Sequence, residues 1–248
     1  MNALKSPHLP QKNVITALAG ELIAPYEEEL GKNGVKIVKT VPNLSFSSSL
    51  GFHADLFANF LGKGRILLDS SQQIVKSTLQ NYGFECKIVN KKVTDKYPGD
   101  CLLNCTVTDR LCICFYDITA DEIKEYINEN SLTVVNSKQG YSKCSVLPVS
   151  DNAFITDDIS VYNALKSAEN DVLYTEKGSI ELKGFPYGFI GGCAGKISND
   201  CIAVCGDIKL HKDFDNIKSF CRNYKTELMS LGNGQPEDIG SIIPLTEE

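Results

Sequence analysis

One pattern constrains this chain more than any other: a short apolar run ending on Gly or Asp, then a helix start, then a second apolar run, five times over. The runs are residues 14–19, 65–68, 111–116, 153–156 and 201–205. They lead to Gly20, Asp69, Asp117, Asp157 and Asp207, which stand 49, 48, 40 and 50 residues apart. A period of this length signals repeated supersecondary units that bury their apolar faces against one another. The markers suit their place, because an Asp side chain accepts hydrogen bonds from the free N–H groups of a helix's first turn. Thr119 with Glu122 reads as a capping box. The pattern predicts helices over 21–32, 72–82, 121–130, 160–167 and 214–224, with Pro25 early enough to be tolerated. Strands are expected to follow at 35–38, 84–89, 132–135, 172–174 and 227–231.

Each middle run should also have a strand before it, and four do, at 53–60, 101–108, 144–149 and 189–197. The first unit lacks one, while a spare strand, 239–245, lies at the C-terminal end. Pairing it with 14–19 completes the first unit and joins the chain ends, which removes open sheet edges. The expected architecture is therefore α/β: a single domain, 1–248, of five ββαβ units closed as a five-bladed β/α-propeller. The units span approximately 14–41 plus 238–245, 51–90, 99–136, 141–175 and 185–232.

Composition excludes several functions. A chain with 42% hydrophobic and 23% charged residues is ordinary globular material. The net charge of −6, without a Lys/Arg run, argues against nucleic acid as a partner. The polar N-terminal stretch and the lack of any apolar segment near the ~20 residues of a membrane helix argue against a membrane and for the cytoplasm. The ten cysteines include Cys101, Cys105, Cys112, Cys114, Cys201 and Cys205, spaced C-x3-C and C-x-C within apolar runs. Zinc knuckles use C-x2-C turns instead, so these read as reduced packing thiols, with no metal and no cofactor.

Two segments carry a resemblance. Gly140-Tyr141-Ser142-Lys143-Cys144-Ser145-Val146, followed by 150–156, is similar to the fourth-unit segment of dimethylarginine hydrolases. Asp238-Ile239-Gly240-Ser241-Ile242-Ile243-Pro244 is similar to a Gly-rich C-terminal strand that ends in a nucleophilic cysteine. Together with the five units they resemble the pentein, or guanidino-group-modifying enzyme, superfamily. The resemblance implies a cysteine thiolate that attacks a guanidino carbon, a histidine that moves protons and carboxylates that hold the cation. Yet Tyr141 stands at the histidine position, Pro244 or Ile243 at the cysteine position, and Leu103-Asn104 where an acidic pair is expected. No cysteine follows Cys221. The resemblance thus implies the fold without the familiar reaction.

Strand alternation puts His53, Asp55 and Asn59 on one face, where a His–carboxylate pair could move protons, hold a ligand or simply tie a strand end. By the same parity Tyr141, Lys143 and Ser145 share a face, and Cys144 points to the helix layer. Lys143 then either binds an anion or is a solvated surface lysine. The glycines of 188–196 depart from the phosphate-loop pattern and instead suit close backbone approach. His211 reads as a helix-entry residue. Three functions remain open. The first is binding of a small polar, guanidino or amino-acid-like ligand in an axial channel by His53, Asp55, Asn59, Asn104, Tyr141, Lys143, Asp238 and Ser241, with Asp55 and Asp238 facing a cation. The second is a cysteine hydrolase with a relocated nucleophile, Cys144 or Cys193, working with His53. The third is an interaction module without chemistry.

Overall fold

The computed structural model describes residues 2–46 and 48–248. The apolar runs become the middle strands of five small sheets. Arg65–Leu68, Leu111–Cys114, Ala153–Thr156 and Cys201–Val204 each pair antiparallel with the strand before them: Ala58–Gly62, Thr106–Val107, Val146–Ser150 and Ala194–Ser198. Each also pairs parallel with the strand after its helix: Glu85–Ile88, Thr133–Asn136, Asp171–Tyr174 and Glu227–Ser230. A hairpin needs only a tight turn, such as Gly62-Lys63-Gly64 with all three φ values positive (86°, 51° and 76°). A parallel partner needs a crossover, which the helices Gln73–Asn81, Asp121–Glu129, Ile159–Ser167 and Phe214–Asn223 supply.

The remaining sheet contains both ends of the chain. Val14–Ala19 runs parallel to Lys36–Lys39 and antiparallel to Ile243–Glu247, with Leu18 opposite Ile243 and Ala17 opposite Pro244. The spare strand fills the vacancy in the first unit, but it begins four residues later than its sequence suggests. Gly240 and Ser241, at φ 79° and 73°, lie in the left-handed region and hold that stretch in a turn. Asn2–Ala3 adds a further strand outside Ile243–Glu247, held by backbone pairing that its polar sequence does not announce.

Alternation explains why the middle strands read as unbroken apolar runs. Leu111 and Ile113 enter one apolar cluster while Cys112 and Cys114 enter another, so both faces of the strand are buried. Ala153 and Ile155, against Phe154, divide in the same way. Each of the five clusters lies between two sheets. They join the first sheet to the second, the second to the third, the third to the fourth, the fourth to the fifth, and the fifth to the first.

Several local expectations are corrected. The segment 53–60 is not one strand: His53 caps a single helical turn, Ala54–Phe57, and the strand starts at Ala58. Residues 142–145 form a turn closed by the Ser145 N–H to Tyr141 O, and pairing before 106 and before 194 gives way to loop. The first helix is a 3-10 segment, Glu21–Tyr26, containing Pro25, followed by Glu27–Lys32. The capping box does not form. Ala120 occupies the cap, the Thr119 hydroxyl donates to Phe115 O, and Glu122 accepts from the Asn90 N–H. Asp69 and Asp207 do cap the turns that follow them, but in the fourth unit Asp158 is the cap and Asp157 points inward.

Candidate functional site

The loops that precede the strands converge with the turn at 238–241. Close approach is possible because glycines face two crowded points. A Cβ on Gly192 would lie 2.0 Å from an Asp238 carboxylate oxygen, and one on Gly240 would lie 2.4 Å from the His53 Cα. The buried groups His53, Asp55, Asn104, Lys143, Cys144, Asp238 and Ser241 meet there.

Asp55 is the hub. Its Oδ2 accepts from the Ser241 hydroxyl at 2.6 Å and from the Cys144 thiol at 3.1 Å. The Lys143 ammonium donates to Ser241 Oγ at 2.9 Å and reaches Gly191 O at 3.4 Å. A Lys143–Ser241–Asp55 relay therefore joins residues 98 and 186 positions apart in its two steps. Asn104 holds the 143–144 turn from below. Its Oδ1 accepts from the N–H groups of Lys143 (2.8 Å) and Cys144 (3.2 Å), and its amide NH₂ donates to Asp55 O and to Cys144 Sγ, both at 3.1 Å. Asp238 accepts from the N–H groups of Phe189 (3.0 Å) and Gly240 (3.1 Å), and its Oδ1 lies 3.7 Å from His53 Nδ1. Against this dense bonding, three buried atoms have no hydrogen-bond partner: both ring nitrogens of His53 and Oδ1 of Asp55.

Burial sets the proton preferences. It pushes the Cys144 thiol well up, and the neighbouring Asp55 charge adds to the effect. It lowers Lys143 despite the pull of Asp55, and it raises Asp238 despite His53. Cys144 thus rests as a protonated thiol that donates to a carboxylate.

Above this floor opens a cavity of about 210 Å³. His53, Cys144 and Asp238 form its base; Tyr141, Tyr187 and Phe189 form an aromatic side, and Leu50, Leu182, Phe185 and Pro186 form the mouth. The Tyr187 and Phe189 rings meet edge to face with centroids 5.9 Å apart. The Tyr141 hydroxyl donates to Asp100 Oδ2, which fixes the ring in the wall. His53, Asp55 and Cys144 each offer a metal-binding atom, and these atoms all lie within 4.8 Å of one another.

Of the residues singled out in the sequence, seven are brought together and Asn59 is not. The Asn59 amide donates to Leu103 O and Cys105 O, both at 2.8 Å, and so ties the second unit to the third. His53 and Asp55 meet through a helical turn rather than strand parity. Lys143 is buried, not solvated, because the turn at 142–145 rolls it inward. That turn also swings Cys144 away from the helix layer and into the cavity. Cys193 donates to Ile190 O and does not line the cavity. His211 accepts from the Asp213 N–H at the entry to the last helix. Asp100, Tyr187 and Phe189 escaped sequence reasoning, since no motif marks them; only the glycines around Phe189 hinted at close approach.

Five sheets of this connectivity, with buried carboxylates, a histidine and a thiol under one cavity, define a protein of the pentein fold. Solved structures bear out the fold. The inosamine-phosphate amidinotransferase of Streptomyces griseus matches at TM-score 0.58 and 11% identity, over 99% of this chain and 97% of that one. The agmatine deiminase of C. jejuni with substrate bound matches at 0.57 and 11%, over 99% and 96%. The dimethylarginine dimethylaminohydrolase of Pseudomonas aeruginosa, complexed with citrulline, matches at 0.55 and 10%, over 89% and 92%. Residues 19–243 match the model of a family of unknown function, DUF6873, and the chain belongs to that family. A search of the curated proteins finds no match. No helix among the described residues is long and apolar enough to cross a membrane.

Proposed function

We propose that this chain is a one-domain, five-bladed β/α-propeller that binds a small organic cation, with a guanidino or amine head, in the cavity above His53, Cys144 and Asp238. The ring is supported by the apolar clusters, which couple each sheet to the next and the last to the first. The cation is supported by one observation above all. Two buried carboxylates, Asp55 and Asp238, face a single ammonium, Lys143. An uncompensated buried charge is expensive, and a monocation would offset it. Aromatic faces on one side of the cavity suit a cationic head, and the apolar mouth suits an alkyl or aryl body.

Isothermal titration with agmatine, arginine and citrulline tests the reading. Agmatine and arginine, which carry a guanidinium head, should bind, and citrulline, whose ureido head is uncharged, should not. Asp238→Asn should weaken cation binding roughly tenfold or more, about 1.4 kcal/mol. Binding of citrulline as tight as that of arginine, or no binding by any of the three, would sink it.

A second reading is thiol chemistry, favoured by the presence of Cys144 and His53 in one cavity. It requires the Cys144 proton, now donated to Asp55, to leave before attack. Release of ammonia from agmatine or arginine, lost in Cys144→Ser, is its signature.

A further inference from the structure

We propose that His53, Asp55 and Cys144 form a site for one divalent transition-metal ion, zinc being the best match, with an open coordination position toward the aromatic cavity. The proposal goes beyond the organic-cation reading and stands without it.

The donor set is the first argument. Imidazole, carboxylate and thiolate together suit zinc, and three protein ligands with one open position make an accessible rather than a closed site. The second argument is the orphaned atoms. Polar atoms buried in a protein are almost always paired, yet both His53 nitrogens and Asp55 Oδ1 lack partners in the same place. One ion engages a His53 nitrogen and Asp55 Oδ1 together. The third argument is the shell outside the ligands, which is already built. Asp238 lies 3.7 Å from His53 Nδ1, where a carboxylate partner of a metal-bound imidazole belongs. The Asn104 NH₂ lies 3.1 Å from Cys144 Sγ and can donate to a thiolate. The Ser241 hydroxyl occupies Asp55 Oδ2 at 2.6 Å and leaves Oδ1 free.

Charge closes as well. A divalent ion with the Cys144 thiolate and the Asp55 carboxylate is neutral, and Lys143 and Asp238 neutralise each other. On binding, the Cys144 S–H bond breaks, a sulfur–metal bond forms, and the proton passes to the buffer; nothing is oxidised or reduced. The ligand atoms now lie within 4.8 Å of one another. Tetrahedral zinc needs separations of about 3.3–3.6 Å, so the widest gap closes by up to roughly 1.5 Å. Ion and organic cation are alternative occupants, because both draw on Asp55.

Titration of the full chain with Zn²⁺ and with Co²⁺ tests the site. One ion should bind per chain. Bound Co²⁺ should show the visible bands of tetrahedral coordination and a thiolate charge-transfer band in the near ultraviolet. The band should vanish in Cys144→Ser, and His53→Gln should weaken binding by roughly 10-fold or more. A variant with both Cys86→Ser and Cys201→Ser, which removes the two partly exposed thiols, should bind as the wild type does. The wild-type charge-transfer band reads thiolate ligation even if a site variant fails to fold. No stoichiometric binding, or a band that survives Cys144→Ser or disappears with Cys86 and Cys201, overturns the proposal. Absence of metal binding alongside intact agmatine binding removes the metal site alone, and the converse removes only the organic-cation reading.

Discussion

Replacing Asp157 with Asn should remove a pH dependence of stability that the wild type carries between pH 4 and 8. Asp157 is 2% exposed; its Oδ2 accepts from the Ile190 N–H at 3.1 Å, and its Oδ1 has no hydrogen-bond partner. Burial is the main cause that raises its pKa to about 8, opposed by the Ile190 N–H and by Lys177. The unfolded chain releases this proton near pH 4, whereas the native state keeps it until about pH 8. Between those limits the native state binds more protons than the unfolded state. Stability is therefore complete below pH 4, falls as pH rises, and levels off above about pH 8. Each pH unit inside the window is worth up to about 1.4 kcal/mol, so from pH 5.5 to 7.5 the wild type should lose up to about 3 kcal/mol from this group. Asn is neutral throughout and keeps an acceptor for the Ile190 N–H. Urea unfolding of both proteins at pH 5.5, 6.5 and 7.5 measures the effect, and subtracting one profile from the other cancels every other titrating group. Parallel profiles would refute the reasoning.

Other outcomes follow from the same contacts. Asp69→Ala should destabilise the chain by about 2–4 kcal/mol in chemical denaturation, since it strands the N–H groups of Ser71 and Val93 that the carboxylate now accepts from at 2.8 and 2.9 Å. Gly192→Ala should abolish binding of organic cations in calorimetry, because the added Cβ would lie 2.0 Å from an Asp238 oxygen and must displace that carboxylate; unchanged affinity would remove Asp238 from the site. A thiol reagent applied to the native protein should modify Cys86 and Cys201 first, against ten thiols in denaturant, because the other eight are buried; early labelling of Cys144 would contradict its burial.

The architecture could be read along the chain because its signals are local. An apolar run buried on both faces, a capping Asp at residue 69 or 207 and a crossover helix each depend on neighbours a few positions away. The surplus C-terminal strand and the vacancy in the first unit were likewise visible as a count of elements, so the pairing of Val14–Ala19 with Ile243–Glu247 was within reach. The limits were local too. The turn at Gly240-Ser241 delayed the last strand, and Asn2–Ala3 pairs through its backbone, which no side-chain pattern reports.

The site obeyed different physics. His53, Asp55, Asn104, Lys143, Asp238 and Ser241 stand out in the sequence as polar residues near strand starts, but strand parity is the wrong reason for grouping His53 with Asp55 or Tyr141 with Lys143, and it sends Cys144 to the helix layer and Asn59 to the site, where neither lies. Those segments leave the sheets as turns, where a side chain's direction depends on what the turn meets rather than on its position in the sequence. The sequence by itself determined five units, their order and a buried polar shortlist, because periodicity and capping are short-range. Only the tertiary structure decided that Lys143 reaches Asp55 through Ser241, that Asp238 stands behind His53, and that an aromatic wall with no motif of its own covers them. Those contacts join loops about 50 to nearly 190 residues apart, and only the packing of all five sheets brings them together.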